Sequence, residues 1–143
     1  MNIENVIKLR ATLRIVQERR PERFDMGQFL RVYNGEGVEP DPTECGTVAC
    51  IGGWAFMLQL PPGADVKDPN LYAYLERDAA DWLGLDQYEA NHWFYGGWAR
   101  WSDGDYRGLS DLTIDHALTF LDEVIATGNP RCTVVLTAPS EDE

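Results

Sequence analysis

Residues 48–60 carry a single polar side chain, Gln59. A helix that is apolar on every side belongs in the middle of a fold, with other elements packed around it. Thr47 is a natural N-cap for such a helix, and Pro61-Pro62 is a natural stop. Ala49, Gly52, Gly53 and Ala55 are small, so neighbours can come close. Two adjacent glycines cost roughly 1 kcal/mol each relative to alanine inside a helix. Close packing, or a ligand bound in a Gly52-Gly53 groove, has to offset that cost.

The flanking sequence supplies partners for this helix. In residues 3–19, Val6, Leu9, Leu13 and Val16 recur at three- and four-residue spacing and form one apolar stripe. Pro21 ends that pattern. Residues 24–33 read as a second short helix, with Asp25 as cap and Met26, Phe29 and Leu30 inward. Residues 34–44 (NGEGVEPDPTE) read as a loop. A helix over 71–83 should end on Gly84 in the left-handed conformation, followed by Leu85. Asp86 and Glu89 have capping-box spacing and start a helix running to about Tyr95. Residues 96–109 look irregular. Thr113 caps a last helix over 114–127, which Gly128 stops. Residues 132–137 (CTVVLT) suit a short strand or a packed tail, and 139–143 form an acidic disordered tail. The expected fold is all-α: a compact five- to six-helix bundle around the central helix, in one domain over 1–138.

Composition fits this picture. A chain of 143 residues suits one domain, and 44% hydrophobic residues are incompatible with global disorder. No apolar run reaches the roughly 18 residues of a membrane helix. Lys8, Arg10 and Arg14 interrupt every apolar stretch near the N-terminus, so no signal peptide is expected and the location expected is cytoplasmic. There are 24 acids and 12 bases, a net charge of −12. Direct nucleic-acid binding is disfavoured, because phosphate contacts need Lys and Arg. The charge is uneven: residues 1–31 carry a net +3 and residues 32–143 a net −15. Such a field either steers toward a basic partner or merely keeps the chain soluble.

Three cysteines do not make a disulfide framework. The string around two of them, Glu44-Cys45-Gly46-Thr47-Val48-Ala49-Cys50-Ile51-Gly52-Gly53-Trp54-Ala55, is the most distinctive in the chain. It follows Pro21-Glu22-Arg23-Phe24-Asp25-Met26 and precedes Ala79-Ala80-Asp81-Trp82-Leu83-Gly84-Leu85. This order resembles a family of small uncharacterised proteins from actinobacteria, proteobacteria and their phages. The shared pattern is P-E-R-F-D-M, then C-G-T-x-A-C-I-x-G-W-A, then A-x-x-L-G-L, over roughly residues 1–95. The resemblance implies no settled activity. It implies a phage or mobile-element setting, in which small acidic proteins often act on host proteins.

Several chemistries compete at this string. Cys50 near a helix start could be a thiolate nucleophile, because the helix dipole lowers a thiol pKa. It would need His92 as base, since His116 falls on the polar face of its helix. Cys45, Cys50 and His92, with Cys132 recruited, could hold a metal, although C-x4-C only loosely matches zinc spacing. Cys45 and Cys50 could also form a redox-sensing disulfide. The preferred reading is structural: Cys50, Trp54 and Met57 share one helical face, and a buried free cysteine behaves as a small hydrophobe. No cofactor is expected.

Two further features invite a functional reading. Ala80, Gly84 and Ala90 have helix-turn-helix spacing, but the second helix carries Asp86 and Glu89 and no Lys or Arg, so it would repel DNA. Seven aromatics crowd residues 88–106, among them Trp98, Trp101 and Tyr106, and Arg100 and Arg107 are the nearby bases. Trp, Tyr and Arg are typical interface anchors, although some of these tryptophans should pack inward. Ser102-Asp103-Gly104-Asp105 lacks regular calcium-ligand spacing and reads as a turn. The leading expectation is a non-enzymatic acidic interaction module. It would bind, and by binding inhibit, a host protein, for example a basic nucleic-acid-binding one, with Trp98, Arg100, Trp101, Tyr106 and Arg107 as contacts. A Cys50–His92 enzyme and a small-ligand binder at Gly52-Gly53 are the alternatives.

Overall fold

A computed structural model of the chain describes residues 1–27, 29–31, 48–64, 68–102, 104 and 108–137. The expected 34–44 loop, the Thr47 cap and the 139–143 tail lie outside these residues.

Helix α1 spans Ile3–Arg19, as the apolar stripe predicts. The Asn2 side chain caps it by accepting from the Asn5 amide, and Val6, Leu9, Leu13 and Val16 are all buried. Its partner is helix α5, Ile114–Thr127. Arg10 donates to Asp122, and Gln17 donates to Asp115, along the edge of that contact. Thr113 caps α5, and Gly128 ends it at φ +69°. His116 completes the cap: its Nδ1 accepts from the Thr113 amide at 3.1 Å. The ring is half-buried, edge-on to Trp101, with centroids 5.5 Å apart. It therefore does not simply face water, as its place on the helical wheel suggested. Burial pushes its pKa down, against the pull of Asp115.

Among the described residues of 24–33 the expected helix does not appear. A single 3-10 turn, Pro21–Arg23, is followed by extended Phe24 and a turn at Met26–Gly27. Strand β1 (Leu30–Arg31) then pairs antiparallel with β2 (Val48–Ala49). This pairing takes the first turn expected of the central helix, because 48–49 give their backbone groups to the ladder. Helix α2 therefore runs Ile51–Gln59, with Cys50 at the N-cap position. Every residue from Ile51 to Met57 is buried.

Helix α3 spans Leu75–Leu83, shorter than expected because Pro69–Tyr72 form a separate 3-10 turn capped by Asp68. Gly84 ends α3 at φ +71°. Helix α4, Gln87–Phe94, opens on the Asp86/Glu89 capping box. The Glu89 amide, with help from Arg131, holds the Asp86 carboxyl below its usual range. Arg131 reaches back from the turn after α5 to Asp86 at 3.1 Å and Glu89 at 3.4 Å.

The stretch that looked irregular contains strand β3, Ala99–Trp101. It pairs parallel with β4, Val134–Leu136, so the C-terminal strand is real and has a partner. Helix α5 forms the crossover between them. The chain is thus mostly helical, with short strands, and no described helix is long and apolar enough to cross a membrane.

Three tryptophans anchor the core. Trp54, Trp93 and Trp98 are fully buried. Each indole N–H donates to a backbone carbonyl: Trp54 to Arg23 at 3.3 Å, Trp93 to Pro130 at 2.7 Å and Trp98 to Trp93 at 3.1 Å. A buried indole left without an acceptor would cost about 1–3 kcal/mol, so these bonds tie the rings to particular backbone segments.

Candidate functional site

The distinctive string builds a packing joint. The Gly52 and Gly53 positions are filled by the protein itself. A Cβ on Gly53 would lie 1.7 Å from the Phe29 carbonyl oxygen, and one on Gly52 would lie 2.7 Å from the Phe29 ring. Phe29 in turn meets Phe94 edge-on, with centroids 5.5 Å apart. The expected ligand groove is therefore occupied by residue 29. That contact is the packing that offsets the glycines' helical cost.

Cys50 points into the same joint. It is buried, and its thiol donates to the Phe29 carbonyl at 3.7 Å. Two effects oppose each other here. The amides of Gly53 and Gly52 at the start of α2 lower the thiol pKa, as the sequence suggested. Burial raises it by more, and the thiol ends at about 11. A thiol in that range is a poor nucleophile at neutral pH. His92, the expected base, is engaged elsewhere. Its Nε2 donates to the Cys132 carbonyl at 2.8 Å, and its ring lies against Tyr88 and Phe120. The Cys50–His92 dyad is thus not assembled. Among the described residues no group of His, Cys, Asp and Glu could hold a metal ion, and Cys45 lies outside them.

Native alkylation tests this directly. At pH 7.5 Cys50 should react at least 100-fold more slowly than in denaturant, and half-buried Cys132 should react ahead of it. Mass spectrometry of the modified peptides gives both rates. Fast native labelling of Cys50 would restore the nucleophile reading.

The aromatic region divides between core and surface. Trp98 is fully buried and stacks on Phe120, with centroids 4.9 Å apart. It is therefore not a partner contact, because no face of the ring is available. Trp101 is half-buried against His116, and Arg100 is exposed. Tyr106 and Arg107, like Asp103 and Asp105, lie outside the described residues.

A cleft of about 520 Å³ lies between the turn before α3, α3 itself and the start of α4. Leu75, Ala80, Leu85 and Ala90 make its apolar lining, while Tyr74, Glu76 and Asp81 provide aromatic and acidic groups. Tyr74 is 58% exposed. The Arg77 guanidinium sits 3.9 Å from the centre of its ring. The Tyr95 hydroxyl donates to Glu76 and fixes that carboxylate. Burial, and then Glu76, push the Tyr95 hydroxyl up to about 12. Residues 71–95 carry five acids and one base. Alternation of side chains along one element did not reveal this cleft, because three elements build it. The available signal was the PNLYAY turn at 69–74, which places two tyrosines just ahead of a helix.

No protein-family model matches the chain, and neither a curated protein nor a solved structure matches it.

Proposed function

We propose that the chain is a non-enzymatic interaction module that seats a basic amphipathic helical segment of a partner protein in the α3–α4 cleft. The observation that carries this reading is the exposed Tyr74 beside a cleft that mixes apolar side chains with Glu76, Asp81 and one base, Arg77. Apolar side chains of the incoming segment would cover Leu75 and the Tyr74 ring, and its Lys or Arg would face Glu76 and Asp81. Tyrosine is a favoured anchor because it buries a large rigid surface at low entropic cost. The surrounding excess of acid raises the association rate and rejects acidic competitors. A host protein with a nucleic-acid-binding surface is the partner class that matches this charge, and occupying that surface would inhibit it. Arg100 and Trp101 offer a second contact region on β3.

Fluorescence anisotropy with a labelled Leu/Lys amphipathic peptide, and a Leu/Glu peptide of the same length, tests the reading. The Leu/Lys peptide should bind and weaken as salt rises, and the Leu/Glu peptide should not bind. Tyr74→Ala should weaken binding about tenfold, whereas Tyr88→Ala, outside the cleft, should leave it unchanged. Equal affinity for wild type and Tyr74→Ala would sink the cleft assignment and leave only diffuse attraction to an acidic surface.

A further inference from the structure

The chain has two capping boxes, and their acceptors differ. At the start of α4 the Asp86 amide donates to the Glu89 carboxylate at 3.0 Å. At the start of α5 the Thr113 amide donates to the His116 ring at 3.1 Å, and the His116 amide donates to the Thr113 hydroxyl at 3.3 Å. A backbone amide can only donate, so Nδ1 of His116 carries no proton in this arrangement. A carboxylate accepts over a far wider pH range than an imidazole does. The bond that closes the α5 box is therefore sensitive to mild acid.

Protonation of His116 would set a ring N–H against the Thr113 N–H. Two donors cannot share that contact, so the ring must turn away and leave the amide without its acceptor. The position opposes the charge as well: His116 lies in the first turn of α5, where the helix dipole disfavours a cation. The same ring lies edge-on to Trp101 of β3, with centroids 5.5 Å apart, so turning it breaks a contact between α5 and β3. The charged groups on the surrounding elements do not reverse this. Asp115 on α5 favours the protonated ring, but burial outweighs it, and Gln17 of α1 already donates to that carboxylate. Asp111, in the turn before α5, and Arg100, on β3, are exposed. Strand β4 carries no charge. Asp103, Asp105 and Arg107, which follow β3, lie outside the described residues.

We propose that His116 is an acid-sensitive latch between α5 and β3: protonating its ring removes the acceptor from the Thr113 amide and separates Trp101 from the start of α5. The folded ring gives up its proton more readily than a free one, whose pKa is 6.5. The latch's contribution to stability is therefore complete above that value and is lost as pH falls through the lower folded value. The latch is independent of the α3–α4 cleft. It acts on the Arg100–Trp101 region, so acid alters that region and leaves the cleft unchanged.

An NMR titration of the full chain from about pH 7.5 to about pH 5 reads it. The His116 ring should titrate below 6.5, and the Trp101 indole signal should shift with the same midpoint. Protection of the Thr113 amide from hydrogen exchange, corrected for the intrinsic rate, should fall about tenfold over that range, while protection of the Asp86 amide and of α2 holds. His116→Gln supplies an acceptor at every pH, as glutamine does in other capping boxes, and should abolish both changes. Circular dichroism checks that this variant folds; should it not, the wild-type titration decides alone. A His116 midpoint at or above 6.5, a Thr113 amide indifferent to pH, equal losses at Thr113 and Asp86, or a response that survives His116→Gln would each overturn the proposal.

Discussion

Gly53→Ala should cost about 3 kcal/mol or more, although alanine is the better helix former. The propensity gain is about 1 kcal/mol. Against it stands a methyl group 1.7 Å from the Phe29 carbonyl oxygen, with the Phe29 carbonyl carbon at 2.9 Å. Both atoms belong to the backbone, so no rotamer change can make room. The chain would have to pull residue 29 away from α2. That would loosen the neighbouring β1–β2 pairing and free the Cys50 thiol from its carbonyl acceptor. Overpacking of a rigid site exceeds the usual 1–3 kcal/mol for an added methyl group. Gly52→Ala is the control. Its Cβ meets the rings of Phe29 and Phe94 at 2.7–2.8 Å. Rings can tilt, so the loss there should be smaller. Urea denaturation of the two variants measures the difference, and equal midpoints would refute the distinction between backbone and side-chain obstruction.

Trp98→Ala should cost 3–5 kcal/mol, a drop in melting temperature of about 10–20 °C. The change empties a fully buried site, removes the stacking on Phe120 and deletes a hydrogen bond to the Trp93 carbonyl. Arg100→Ala, two residues away on the exposed side of β3, should stay within about 0.5 kcal/mol of wild type. Thermal unfolding followed by circular dichroism compares the pair. A Trp98→Ala variant as stable as wild type would mean the ring is not packed as described.

The contrast between these neighbours shows where the sequence was readable. Helices α1 and α5 and the α3–α4 joint were legible because local chemistry determines them. A four-residue apolar stripe, Thr113 and Gly128, Gly84, and the Asp86/Glu89 box act within one or two turns. The two strand pairs were not legible in full. Leu30–Arg31 meets Val48–Ala49, and Ala99–Trp101 meets Val134–Leu136, across intervals that no local pattern encodes. Strands of two or three residues are too short to show alternation. The same limit affected the candidate site. The aromatic-rich stretch was visible, but which of its rings turn inward depends on Phe120, supplied by a helix some 20 residues further on. At Cys50 the helix-start effect was anticipated with the correct sign. Its weight was not, because burial by Phe29 and its neighbours outweighs it.

The parallel arrangement of β3 and β4 also bears on the order of assembly. An antiparallel hairpin can zip from its turn, but these strands cannot meet until α5 has formed and brought the chain back. The Val134 amide then reaches the Trp98 carbonyl, and the Ser102 amide reaches the Leu136 carbonyl, each at 2.8 Å. Loop closure of this length must precede any reward from the contact. The pair is therefore a late clasp in refolding and an early one to release. Its amides should exchange with solvent well before those of α2, and a brief opening there would expose the Trp98 edge of the core while the rest of the molecule stays folded.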